Sequence, residues 1–125
     1  MSGMERDDFF ALVEEALESL EPEFQERLEN VAVLVEDWAD RHTLRLAGVR
    51  SPYHLLGFYH GVPLASRGHS YGLVAPDTIT IYQGPIERQT RNRHEMRQLV
   101  RRVVQHEIAH HFGIDDDRLH ELGAY

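Results

Sequence analysis

Apolar residues recur at helical spacing near both ends of the chain and at strand spacing between them. Phe9, Leu12, Val13, Ala16, Leu17 and Leu20 follow Asp7, a good capping residue, and predict an amphipathic helix over residues 8–20. Pro22 stops it and can itself open a short helix through Leu28, because proline fits a first helical turn. Val31-Ala32-Val33-Leu34-Val35, bounded by Asn30 and by Glu36-Asp37, reads as a buried strand, with Trp38 expected to pack under the loop that follows. Residues 39–52 carry a weaker signal, one helical turn around Leu44 to Ala47 between the breakers Gly48 and Pro52. Leu55 to His60 reads as a second strand, and Gly61 to Pro76 as a long ordered loop of the kind that often carries function. Thr78 to Tyr82 alternates Thr and Ile between Pro76-Asp77 and Gly84-Pro85, the clearest half-buried strand. The last element is a helix from about Arg91 to Phe112, expected to follow that strand directly, with Asn92 as one possible cap.

Strands between an N-terminal and a long C-terminal helix define an α+β chain, a small mixed sheet packed against both helices in one domain over residues 1–125. With 125 residues, 42% of them hydrophobic, the chain can bury one core. No run approaches the roughly 18 apolar residues of a membrane span, and the acidic N-terminus lacks the basic and apolar parts of a signal peptide, so no membrane contact and a cytoplasmic location are expected. Having no cysteine excludes disulfides and thiolate metal ligands. A net charge of −8 disfavours nucleic acid as a partner, since such binding rests on cations that neutralise phosphate. It mildly favours neutral or basic substrates.

The chemistry concentrates at His106-Glu107-Ile108-Ala109-His110-His111-Phe112-Gly113-Ile114-Asp115-Asp116. A helix turns about 100° and rises about 1.5 Å per residue, so His106 and His110 lie about 40° apart in azimuth and about 6 Å apart along the axis. Two imidazoles so placed can grip one ion. With His106 at zero, Leu99 falls at about 20°, Val103 at about 60°, Met96 at about 80°, Val100 at about 120° and Val104 at about 160°, and Glu107 stands at about 100° inside that apolar stripe. A carboxylate aimed into a core needs a compensating charge, which a metal ion supplies. His111, at about 140°, is read as standing behind the ligands or on the surface, and His94 as too far upstream to share the ion. His42, His54, His60, His69 and His120 have no helical register with the pair. His69 and Tyr71 are candidates to stabilise an oxyanion.

Gly113 can take the left-handed conformation that ends a helix, after which the chain can bring Asp116 back toward the histidines. Catalytic zinc commonly takes three protein ligands and leaves one position for water, so His106, His110 and Asp116 form the expected set, with Asp115, Asp117 and His120 as alternatives. Glu121 is too close to act as a ligand from a distant helix. In a histidine-rich chain of this composition the five-residue pattern HExxH arises by chance in about one sequence in fifteen, and adding Gly113 and Asp116 lowers that to the order of one in three thousand.

Together with Gly61-Val62-Pro63-Leu64, Arg67-Gly68-His69 and Thr78 to Ile86, the segment from His106 to Leu119 resembles the small bacterial zincin-like metallopeptidases, also called minimal metalloproteases. The resemblance implies a zincin-like minimal fold, with His106, His110 and Asp116 as zinc ligands and Glu107 as general base. It also implies that an edge strand near the metal helix pairs with extended peptide substrate, a role open to Thr78–Tyr82 or to Leu55–His60. The related metzincins carry a methionine turn beneath the metal, but Met1, Met4 and Met96 all precede the motif. Either the architecture is reduced here or another side chain supports the site from below. The expected activity is hydrolysis of peptide bonds, with Glu107 activating a water held by zinc. Two other readings share the histidine spacing: a metal-dependent RNA endonuclease, against which Glu107 and the acidic charge both count, and a non-catalytic metal-stabilised binding module.

Overall fold

The structure is a computed structural model that describes residues 4–26, 28, 31–61 and 77–113. Its elements run α1 (Arg6–Glu18), α2 (Pro22–Glu26), β1 (Val31–Glu36), α3 (Arg41–Ala47), a 3-10 turn (Pro52–His54), β2 (Gly57–His60), β3 (Asp77–Tyr82), α4 (Gln83–Gln89) and α5 (Arg93–His111). The class is α+β, as the alternation of patterns predicts. No helix among the described residues is long and apolar enough to cross a membrane.

The three strands form one mixed sheet in the order β1-β3-β2, with β1 parallel and β2 antiparallel to the central β3. Register puts Val31, Val33 and Val35 of β1, Asp77, Ile79 and Ile81 of β3, and Gly57 and Tyr59 of β2 on a common face. That face packs on α1 and α5, where Phe9, Leu12, Val13 and Ala16 meet Ile79, Ile81, Val100, Val103, Val104 and Ile108 in the main core. Each of the valine, leucine, isoleucine and phenylalanine side chains contributes about 1.5–3 kcal/mol by leaving water. A smaller cluster of Ala39, Leu55 and Tyr82, flanked by Leu44, Ala47, Val49 and Phe58, joins α3 to the sheet.

Several boundaries differ from the sequence reading. The strand expected to be half-buried is the central one, and every residue in it except Thr78 is buried, because it is paired on both sides. It does not lead directly into the metal helix; α4 intervenes, with Pro85 in its first turn, where proline's fixed φ is tolerated. Gly84 is needed there for a close approach, since a Cβ would collide with the Trp38 indole. Trp38 therefore sits against α4 rather than under a loop, edge-to-face with Tyr53 at 5.0 Å and beneath the Arg88 guanidinium. Asp7 does not cap α1: the helix begins at Arg6 behind Glu5, without a side-chain cap bond. The turn around Leu44 is a full helix that starts at Arg41, because Asp40 accepts from Thr43 N and caps it.

At its start α5 is capped by Asn92, whose Oδ1 accepts from Glu95 N at 2.9 Å, while the Glu95 carboxylate accepts from Arg91 N at 2.9 Å. The N-terminal arm is tied down beside it. Gln83 donates to Met4 O and to Glu87, and accepts from Arg6, whose guanidinium also reaches Val35 O and Asp37.

Candidate metal centre

Along α5 the buried residues are Met96, Val100, Val103, Val104, Glu107, Ile108 and His111. This arc is the apolar stripe of the helical wheel, continued to Ile108. His106 and His110 lie at its edge, partly buried, where the helix face meets solvent. Their Nε2 atoms approach to 3.0 Å with the rings at 62°. Two nitrogens on one tetrahedral zinc at about 2.0–2.1 Å are separated by about 3.3 Å, so the spacing of the pair is within a few tenths of an ångström of that of two zinc-bound nitrogens. The donor set suits zinc, which binds imidazole and carboxylate. Glu107 is 7% exposed, and its Oε2 lies 3.9 Å from His106 Nε2.

Among the described residues no group of three His, Cys, Asp or Glu is arranged to hold an ion. The expected third ligand Asp116 lies outside the described residues, as do Asp115, Asp117, His120 and Glu121. The same holds for residues 62–76, His69 and Tyr71 among them, so the long loop expected there lies outside the described residues. Gly113 is described, and with φ at 85° it has the left-handed conformation foreseen for the helix end, its N–H donating to His110 O.

β2 runs beside this helix face. At Gly57 an added Cβ would lie 2.8 Å from Val103 Cγ1 and 3.1 Å from Glu107 Cγ, so only glycine lets the strand lie this close to Glu107. Of the two strands considered for substrate pairing, β3 is central and saturated. β2 has an outer edge with no strand partner among the described residues. A groove of about 620 Å³ opens there, lined by Leu55 and, along one face of α5, by Leu99, Val103, His106, Glu107 and His110. His54 also lines it; the sequence reading missed this residue because a 3-10 turn offers no periodicity to place it. Behind the groove, burial pushes the Tyr82 phenol up to about 12, and Glu36 and Glu107 act in the same direction, so Tyr82 stays a neutral hydroxyl at ordinary pH.

Under the last turn of α5 lies a second polar cluster. Asp77 Oδ2 accepts from Tyr59 Oη at 2.6 Å and pairs with His111 Nδ1 at 2.8 Å, with the Tyr59 and His111 rings edge-to-face. Asp77 is 1% and His111 2% exposed. Of the two places read for His111, behind the ligands or on the surface, the surface one is wrong: it is an interior residue. Asp77 was read only as a strand boundary. Its parity with Ile79 and Ile81 was the available signal that it points into the core.

The sequence model of the zincin-like metallopeptidase family matches residues 28–124. No curated protein matches the chain.

Proposed function

The chain belongs to the zincin-like metallopeptidase family, and on that premise we propose that it is a zinc-dependent peptidase, with His106, His110 and Asp116 as ligands and Glu107 as general base. The observation that carries this reading is the convergence of two imidazole nitrogens to 3.0 Å beside a nearly buried carboxylate, on the wall of an open groove. The 3.0 Å approach is also that of an imidazole–imidazole hydrogen bond, but a histidine pair on a merely charged helix surface has no need of a carboxylate buried next to it.

Zinc, when bound, supplies a Lewis acid that polarises the scissile carbonyl and acidifies water beside it. Glu107 accepts a proton from that water as its oxygen attacks the carbonyl carbon, then passes the proton to the amine as the C–N bond breaks. β2, at the edge of the described sheet, is the strand beside which an extended peptide would lie, and Leu55, Leu99 and Val103 give one of its side chains an apolar wall. The partner is accordingly a peptide or an extended segment of a protein.

Replacing Glu107 with Gln keeps the shape and removes the base. Peptide hydrolysis is expected to fall by about 10²–10⁴-fold, with zinc content per chain, measured by metal analysis, unchanged. Turnover retained in Glu107→Gln would overturn the role given to that residue.

A further inference from the structure

The two imidazoles that converge stand on the last two turns of α5, which ends at His111. A final turn lacks onward backbone partners and frays most easily. Its rotation also matters more here than elsewhere. A roll of the whole helix would carry both imidazoles together, but at a side-chain radius of about 6 Å a twist of about 10° of the last turn relative to the turn that carries His106 moves His110 Nε2 by about 1 Å against His106 Nε2, several times the roughly 0.2 Å within which zinc–ligand distances hold. Ile108 packs this end of the helix into the core and the Phe112–Phe24 ring contact holds it to α2, but such packing has little directional preference. Hydrogen bonds do have direction.

The bond between His111 and Asp77 ties a side chain of that last turn to the central strand. Asp77 is itself held: Tyr59 on β2 donates to the same Oδ2, and the backbone at Gly61 presses so near Oδ1 that an added Cβ would collide with it. The carboxylate is thus fixed from its own strand and from β2 before it meets the helix. His111 Nε2 is buried and has no hydrogen-bond partner among the described residues. An apolar ring would fill the same slot without leaving that nitrogen unsatisfied. The chain keeps an imidazole there, and what it gains is the Nδ1 bond.

We propose that Tyr59, Asp77 and His111 form a directional brace that sets the rotation of the last turn of α5 and so holds His106 and His110 in chelating geometry before metal binds. All three are positioning residues: none reaches the ion, and each acts through the helix. The proposal rests on the zinc reading above and deepens it.

The test is zinc affinity of the full chain by competition with a chromophoric chelator, together with the visible spectrum of the cobalt(II)-substituted protein, for wild type, Asp77→Asn and Tyr59→Phe. Far-UV circular dichroism of the metal-free forms confirms retained helix. Groups that hydrogen-bond a metal ligand directly are worth about 10–100-fold in metal affinity, the upper range for a brace that acts through the helix. Asp77→Asn is expected to weaken zinc binding within that range and to shift the cobalt bands, with Tyr59→Phe weakening it several-fold. A purely structural role would lower the melting temperature and leave affinity and bands in place; that outcome in folded Asp77→Asn overturns the brace. Should Asp77→Asn fail to fold, Tyr59→Phe decides alone, because it keeps the ring and removes only the donor. A wild-type chain that takes up no zinc sinks the metal reading and the brace with it, whereas a zinc-binding wild type with unchanged variants sinks the brace alone.

Discussion

At its N-terminal end α5 is held by atoms within four residues of one another, Asn92 with Glu95 and Glu95 with Arg91, all at the exposed surface. At its C-terminal end it is held by a carboxylate thirty-four residues away, with both partners buried. The first arrangement starts a helix and asks nothing of the rest of the fold. The second ties the helix to two strands at once, so rotation there is decided by tertiary structure. The end that carries the chemistry is the end fixed at long range.

The largest effect that separates the two ends is expected at Gly57. A methyl group there must displace Val103 Cγ1 and the stem of Glu107, because both lie within 3.1 Å of where it would stand. Overpacking of this kind costs about 1–3 kcal/mol, and in Gly57→Ala peptide hydrolysis should fall by a larger factor than zinc affinity, since Glu107 is displaced while the histidines sit one side chain further off. Paired measurements of turnover and zinc affinity check this. If both fall together, the Gly57 contact with α5 is also part of what holds the histidines, and the brace is wider than Tyr59, Asp77 and His111.

Next in size is Asn92→Ala. Loss of an N-cap costs about 1 kcal/mol, visible as a lower melting temperature of the metal-free chain. Zinc affinity should be unchanged, because fraying at Arg93 is nearly four turns from His106. A loss of affinity matching that of Asp77→Asn would mean that either end loosens the whole helix, and the contrast between them would dissolve.

The same contrast explains what could be read from sequence. The cap at Asn92, the helix it opens, the stripe that buries Glu107 and the turn at Gly113 all depend on residues a few positions apart, and all were legible. The mixed sheet was legible as a class because β-branched runs alternate with helices. The identity of β3 as its central strand was not, since strand order is set by which faces meet and not by the strand's own residues. For the same reason Asp77 looked like punctuation before a strand. Its partners stand on β2 and α5, and only register brings Tyr59 alongside Ile79 and within reach of Asp77. His54 was hidden in another way, because its short turn has no period and its place in the groove follows from the path of the chain into β2.

The smallest expected effect is at an ion pair joining α1 to the N-terminal half of α5, Arg97 Nε to Glu15 at 3.3 Å. Both side chains are 44% exposed, so water screens the attraction, and such pairs contribute about 0–1 kcal/mol. The contact between these helices is carried instead by Phe9, Leu12, Val13 and Ala16 against Val100 and Val104, none of which changes when the charge is removed. Arg97→Ala should therefore lower the melting temperature by no more than about 2–4 °C, an effect that shrinks further in about 0.5 M salt, where the Debye length is below about 5 Å. Zinc affinity should not move at all. A larger drop that persists in salt would show that the aliphatic stem of Arg97, rather than its charge, covers the α1–α5 seam, and the N-terminal half of the helix would then depend on tertiary contacts as closely as the half that carries His106 and His110.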